Sequence, residues 1–199
     1  MQKDSASKSA ASAQHAFYRD VLNLMNDSQI PYLVGGGYAL DHYSGIARDS
    51  KDLDLLLEPA HARAILKLFS AHGYRTELCF PHWLGKVFGG DDVVDIIFSS
   101  GNGLCRVDNA WFEHAVSGDI LGVTVKLCPA EELIWTKGSS WSVSAMTARI
   151  LRILCGRAAH SSIGRGCSDA SIHIGRFFSA TWFFAISSTQ RNKGSCLVG

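Results

Sequence analysis

The sequence predicts an α+β fold in which one mixed α/β sheet carries flanking helices. Two observations predict it. Helical and strand-like segments alternate over roughly the first seventy residues, and several consecutive strand-like segments follow them. In addition, 47% of the 199 residues are hydrophobic, which is enough for the core of one domain.

The first half of the predicted fold is a helix–strand–helix–strand series. Apolar residues repeat at helical spacing over 14–27, which predicts an amphipathic helix. The apolar segment 32–34 predicts a short buried strand, and the glycines 35–37 form a turn before a short helix over 38–43. The segment 52–57 is the next predicted strand.

The second half begins with a helix from Pro59 to about Ala71, since proline is favoured at the first helical position. Gly73 is placed to end that helix. A hairpin turn is predicted at 89–91, and a last helix begins at Pro129 with two acids in its first turn. The strands of this half are predicted at 75–80, 83–88, 92–98 and 123–127.

Three ranges of the chain are predicted to differ in organisation. They are a flexible leader over 1–14, a core over 15–137 and an atypical basic, Ser-rich tail over 138–199. The tail carries seven Lys or Arg and one acid, whereas the residues before it carry twelve and seventeen. The tail therefore differs from the predicted core in charge as well as in composition.

Two explanations of the tail remain open. One hypothesis is an out-of-frame translation, since residues 139–157 can be re-read one base earlier, with permissible codons, as a charged amphipathic helix. The other is a genuine basic extension that contacts RNA. The coding DNA separates them, because stop codons in the other frame near codon 138 would exclude the first.

The sequence predicts a cytoplasmic protein that does not span a membrane. No apolar run approaches the ~20 residues that a spanning helix needs, and the N-terminal residues lack the apolar segment of a secretory signal. The six cysteines include no Cys-x-x-Cys pair, so we interpret them as reduced thiols rather than as a disulfide framework.

Three aspartates on predicted strands are the candidate catalytic residues. Asp52 and Asp54 are two positions apart, so their side chains point to the same face of a strand. Asp95 interrupts the apolar strand 93–98, and a lone carboxylate there is costly unless it is paired or binds a cation. If the two strands are neighbours, the three carboxylates would suit two Mg²⁺ ions that hold a nucleoside triphosphate, with Asp95 as the general base.

The glycine turn is the candidate phosphate site. Glycines let the backbone approach a phosphate closely, and the helix that follows offers its positive N-terminal end. Taken singly, the glycines are equally well a tight strand-to-helix connection, and Asp52 and Asp54 are equally well exposed strand residues. Their joint occurrence with Asp95 favours a site for a nucleotide and metal ions.

These residues resemble the signature of the nucleotidyltransferase superfamily, which has the DNA polymerase β-like fold. The most similar branch contains aminoglycoside, lincosamide and toxin-type nucleotidyltransferases. The antibiotic-modifying members often carry a histidine two residues before the first metal aspartate, where this chain has Ser50. The resemblance covers about residues 16–137 and is carried by Gly36-Gly37-Tyr38-Ala39-Leu40-Asp41, Gly45, Arg48 and Asp52-Leu53-Asp54.

The resemblance implies an enzyme that transfers a nucleoside monophosphate from an NTP, such as ATP, to a hydroxyl of a small molecule, a protein or RNA. Mg²⁺ would be its cofactor. Nucleic acid is a less favoured partner than a small molecule or a protein. If the chain is a toxin-type member, an antitoxin would be a further partner. The alternative is a non-catalytic or truncated remnant that binds a nucleotide or a partner. The implied site residues are Gly36, Gly37 and Arg48 for the nucleotide, and Asp52, Asp54 and Asp95 for catalysis and Mg²⁺.

Overall fold

The structure, a computed structural model, describes residues 2–46, 50 and 52–139. Within these ranges the helical segments are α1 Gln2–Ser28, α2 Gly36–Ser44, α3 Ala62–Ala71, α4 Ser100–Gly103, α5 Asn109–Glu113 and α6 Ala130–Ser139. The strands are β1 Leu33–Val34, β2 Leu53–Leu56, β3 Arg75–Phe80, β4 Leu84–Gly89, β5 Asp92–Ile97, β6 Cys105–Arg106, β7 Val116–Ile120 and β8 Val123–Leu127.

Seven of these strands form one mixed sheet in the order β3-β4-β5-β2-β1-β8-β7. β2 is parallel to β5 and β1 is parallel to β8, whereas the other neighbouring strands are antiparallel. Tight hairpins join β4 to β5 and β7 to β8, and each contains a glycine with a positive φ. The predicted α+β fold with a mixed sheet is therefore confirmed.

Helices cover both faces of the sheet. α1 and α3 pack on one face, over a core that includes Leu55 and Ile96 of the central strands. α2, α5 and α6 pack on the other face, over a second core that includes Leu56 and Trp111. Because side chains alternate along β2, Asp54 points to the same face as Leu56. The candidate carboxylate therefore lies on the face that carries α2.

The first helix is longer than the sequence predicts. The predicted helix covers 14–27 behind a flexible leader, but α1 begins at Gln2 and ends at Ser28. The range 2–14 contains four alanines and neither glycine nor proline, and alanine has the highest helix propensity of all residues. Nearly all of the range predicted as a leader therefore lies within α1.

The strand β7 and the helix α5 are absent from the sequence-based prediction. β7 contains a glycine and an aspartate, which are both depleted in strands, so the local pattern hides it. Pairing with β8 forms the strand nevertheless, and a Cβ on Gly118 would lie only 2.6 Å from Cδ1 of Leu127. α5 begins where the carboxylate of Asp108 accepts a hydrogen bond from the N–H of Ala110 at 3.1 Å.

The predicted tail lies almost entirely beyond the part of the chain that the structure describes. Only residues 138 and 139 are described, as the end of α6, so the two explanations of the tail stay hypotheses. Across the described helices, none combines the length and the apolar character that a membrane crossing requires.

Candidate active site

Two of the predicted aspartates lie side by side near the centre of the sheet. β2 and β5 are parallel neighbours, and Asp54 is directly opposite Asp95. Because neighbouring strands are about 4.8 Å apart, the two side chains leave the same face at close spacing. Both are partly accessible, and the side chain of Asp95 is 23% exposed. The adjacency of the two strands, on which the predicted site depends, is thus present.

The third aspartate, Asp52, lies just before β2 and is exposed. Among the described residues, no three His, Cys, Asp or Glu side chains are grouped so that they could hold a metal ion. The structure therefore pairs Asp54 with Asp95 but does not gather Asp52 into a ligand cluster with them. The catalytic and metal-binding roles of the three aspartates stay predictions.

The glycine turn packs directly on Asp54. Gly36 has a φ of +57°, and a Cβ added there would lie 1.7 Å from Oδ2 of Asp54. The N–H of Gly35 donates to the backbone carbonyl of Asp54 at 2.9 Å. Both the conformation and the space at position 36 therefore require glycine.

The N-terminus of α2 lies at this turn. Gly35 is its N-cap, and no side chain caps the helix there. The first N–H groups of a helix have no acceptor within the helix and carry partial positive charge. A Cβ on Gly37 would lie 1.9 Å from Oγ of Ser50, so the serine hydroxyl also borders the turn. This geometry is compatible with the nucleotide-binding role that Gly36 and Gly37 are predicted to have.

Lys86 is the cation beside the carboxylates. It lies directly opposite Asp95 on β4, and its Nζ donates a hydrogen bond to Oδ1 of Asp95 at 2.7 Å. Burial opposes the charged form of the lysine, but the hydrogen bond and the charge of Asp95 outweigh burial and raise the pKa of Lys86 above its ordinary value. Lys86 is therefore cationic at neutral pH and fixes one oxygen of Asp95.

Tyr18 of α1 is a further polar residue near the carboxylates. Its side chain is fully buried, and its hydroxyl donates to the carbonyl oxygen of Val93 at 3.2 Å. Burial raises the pKa of Tyr18, and so do the nearby acidic groups of Tyr38, Asp92, Asp52 and Asp54. The neutral hydroxyl thus joins α1 to β5 next to the site. The sequence pattern marks Tyr18 only as a helix position close to the apolar Phe17 and Val21.

The predicted nucleotide ligand Arg48 lies outside the described residues. Its contact with phosphates therefore stays a prediction. The other predicted residues of the site are described, and the structure brings Gly36, Asp54 and Asp95 into one contiguous group that Lys86 extends.

Residues 18–82 match the family model of aminoglycoside-2''-adenylyltransferase. The matched range is about a third of the chain, and it contains the glycine turn and Asp54 but ends before Asp95. No curated protein sequence matches the chain.

Solved structures with a similar fold include those of two kinds of antibiotic-resistance protein. The solution structure of the antibiotic-resistance factor ANT(2'')-Ia matches with a TM-score of 0.58 and 17% identity over 90% of this chain and 98% of that one. A crystal structure of ANT(2'')-Ia in complex with adenylyl-2''-tobramycin matches with a TM-score of 0.54 and 16% identity, over 74% and 91% of the two chains.

The second kind is a lincosamide antibiotic adenylyltransferase. The lincomycin-bound crystal structure of LnuA matches with a TM-score of 0.53 and 15% identity, over 71% of this chain and 94% of that one. At these identities the structures establish the fold, and the family model adds a match in sequence over the motif region. The chain therefore has the nucleotidyltransferase fold and is related to the nucleotidyltransferase superfamily.

Proposed function

We propose that this chain is a Mg²⁺-dependent nucleotidyltransferase that moves a nucleoside monophosphate from an NTP to a hydroxyl group of an acceptor. One observation carries the proposal. Asp54 and Asp95 are paired in register on adjacent strands, and Gly36, at the start of α2, abuts the carboxylate of Asp54. Acidic oxygens and the N-terminus of a helix are thereby placed together, as a metal ion and a triphosphate would need.

The donor set suits Mg²⁺. Carboxylate oxygens are its preferred protein ligands, and Mg²⁺ usually takes only one or two of them along with substrate phosphates and waters. Asp54 and Asp95 would supply these oxygens, with Asp52 as the exposed third. When bound, Mg²⁺ supplies charge neutralisation at the triphosphate and stabilises the leaving pyrophosphate.

Asp95 is the proposed general base, and its place in the sheet supports the role. The acceptor hydroxyl gives its proton to a carboxylate oxygen of Asp95 as the hydroxyl oxygen forms a bond to the α-phosphorus. The bond from the α-phosphorus to the bridging oxygen breaks, and pyrophosphate leaves with the electron pair. Lys86 holds Oδ1 of Asp95 at 2.7 Å, which leaves Oδ2 for the proton.

We further propose ATP as the donor and a small hydroxyl-bearing molecule as the acceptor. The similar structures include adenylyl-2''-tobramycin bound to ANT(2'')-Ia and lincomycin bound to LnuA, both small molecules with hydroxyl groups. These examples favour a small molecule over a protein or RNA as the acceptor. They also favour an antibiotic-modifying enzyme over a toxin-type enzyme with an antitoxin partner. The predicted cytoplasmic location belongs to the same proposal, because ATP and reduced thiols are found there.

The test uses the full chain with Mg²⁺, α-³²P-labelled NTPs and a panel of aminoglycosides and lincosamides. We expect ATP-dependent labelling of one class of acceptor, and Asp54→Asn should lower its rate by at least ~100-fold, because several kcal/mol of stabilisation is lost. Asp27→Asn, which removes an exposed acid at the end of α1, is the control and should leave the rate unchanged.

Two results would contradict the proposal. Undiminished turnover in Asp54→Asn would show that the reaction does not depend on the pair of carboxylates. Binding of Mg-ATP by the native chain with no turnover toward any acceptor would favour the alternative, a nucleotide-binding remnant of the fold.

A further inference from the structure

Four charged side chains form a row across neighbouring strands on the face opposite α3. Glu77 of β3 is paired in register with Lys86 of β4, Lys86 with Asp95 of β5, and Asp95 with Asp54 of β2. Three of the four are acids, and Lys86 is the single cation between them. The row ends at the turn that contains Gly36, where the proposed triphosphate would bind.

Lys86 lies opposite two acidic residues, Glu77 and Asp95, but its ammonium group donates a hydrogen bond only to Asp95. Its Nζ is 2.7 Å from Oδ1 of Asp95, and the two side chains are 31% and 23% exposed. Glu77 instead lies 3.8 Å from the guanidinium of Arg75, and the side chains of Arg75 and Glu77 are 66% and 56% exposed, respectively. The pair with Asp95 is therefore shorter and less hydrated, so it fixes the position of both side chains more strongly.

We propose that Lys86 is a positioning residue of the active site, which holds the Asp95 carboxylate through Oδ1 and balances its charge beside Asp54. This inference rests on the proposed function and deepens it. Without the ammonium group, the Asp95 carboxylate would lose its fixed orientation, and its repulsion of the Asp54 carboxylate would be relieved only by a bound cation. With it, Oδ1 is fixed and Oδ2 makes no hydrogen bond to any described residue, so Oδ2 is available to a metal ion or to the acceptor hydroxyl.

The alternative is an ordinary cross-strand ion pair that only stabilises the sheet. Such pairs contribute modestly to the stability of a sheet and have no effect on chemistry. The two interpretations differ in kcat and in the affinity of the nucleotide-free site for a divalent cation. A positioning role requires Lys86 for turnover and places its charge beside the metal ion, whereas a structural pair with no metal ion beside it would leave both quantities unchanged when it is removed.

The experiment compares the full native chain with Lys86→Met, Lys86→Arg and a matched control, Lys126→Met, at an exposed position of β8. Mn²⁺ binding without nucleotide is measured by electron paramagnetic resonance, kcat and KM are measured with Mg-ATP and the acceptor, and thermal unfolding verifies that each variant is folded. Mn²⁺ serves as the spectroscopic probe for the Mg²⁺ site.

In Lys86→Met we expect kcat to fall by about 10- to 100-fold, because the carboxylate that accepts the proton is no longer held in place and a misplacement of about 1 Å at a reacting centre costs up to about 100-fold in rate. The KM for ATP should stay nearly unchanged, since Asp54 and the glycine turn remain. The dissociation constant for Mn²⁺ should fall by about three- to tenfold, because a competing positive charge is removed. Lys86→Arg should keep kcat and Mn²⁺ affinity close to those of the native chain, and so should Lys126→Met.

Unchanged kcat in a folded Lys86→Met variant would overturn the inference, and so would weaker Mn²⁺ binding together with a loss of kcat. The proposed function fails separately. If the native chain shows no transfer to any acceptor but Lys86→Met still binds Mn²⁺ more tightly, the pairing of Lys86 with the metal site stands and the assigned reaction does not.

Discussion

Replacing Gly36 by alanine tests the contact between the glycine turn and the carboxylate pair. The change acts in two ways. Gly36 has a φ of +57°, and an L side chain in the left-handed region costs roughly 1–2 kcal/mol. In addition, the new Cβ would lie 1.7 Å from Oδ2 of Asp54, so the carboxylate must move by more than ~1 Å to reach a normal contact distance of about 3.5 Å.

Gly73→Ala separates the two effects. Gly73 also has a positive φ, +87°, but a Cβ there meets no atom within 4 Å. The backbone conformation should therefore cost both variants about 1–2 kcal/mol, which lowers the melting temperature by roughly 2–8 °C in a chain of this size, and the contact with Asp54 adds to that cost in Gly36→Ala only. Only Gly36→Ala displaces Asp54, and a misplacement of about 1 Å at a reacting centre costs on the order of 100-fold in rate.

The assay combines thermal unfolding by circular dichroism with the rate of nucleotidyl transfer from labelled ATP. We expect the melting temperature of Gly36→Ala to be no higher than that of Gly73→Ala, and the rate to be about 100-fold lower in Gly36→Ala alone. If Gly36→Ala kept a rate within about threefold of that of Gly73→Ala, the placement of Asp54 against the turn would not matter for the reaction, and the reasoning would be refuted.

Two further predictions concern stability. Ile96→Ala empties a fully buried position of the central strand β5 and should cost about 2–5 kcal/mol in the free energy of unfolding, as measured with urea. Burial, with help from the charges of Asp108 and Glu131, raises the pKa of Glu132 from 4.5 to about 6. The folded state then binds this proton more tightly than the unfolded state, so native stability falls as the pH rises from 4.5 to 6. Glu132→Gln should therefore be the more stable protein at pH 7.5 and lose that advantage below pH 4.5, and equal urea midpoints at both pH values would contradict this.

The sequence predicts local features of the site better than distant ones. The turn at Gly90 is predicted by its residues, and a two-residue hairpin there pairs position 89 with 92 and therefore Lys86 with Asp95. The contact between those two side chains could thus be found by counting along the hairpin. Glycine at position 36 is likewise marked by the triple glycine, although its left-handed φ and its contact with Asp54 are visible only in the structure.

The pairing of Asp54 with Asp95 is less accessible to sequence reasoning. β2 and β5 are separated by α3 and by two other strands, and their order in the sheet depends on how those elements pack. Nothing in either aspartate's local sequence fixes that order. β7 is missed for a related reason. The strand forms through its pairing with β8, where Gly118 leaves room for the side chain of Leu127, although the residues of β7 themselves do not favour a strand.

The absence of a capping side chain at α2 connects the glycine turn to the carboxylates. Helices usually begin with Ser, Thr, Asp or Asn, whose side chain accepts hydrogen bonds from the first N–H groups. Gly35 leaves those groups to other acceptors, and Asp54 lies against the adjacent Gly36. A triphosphate at the same N-terminus would add negative charge beside that carboxylate, and two anions in contact repel each other. The arrangement that suits a phosphate is therefore unfavourable without a cation between phosphate and carboxylate, so in the proposed reaction the nucleotide and Mg²⁺ must bind together.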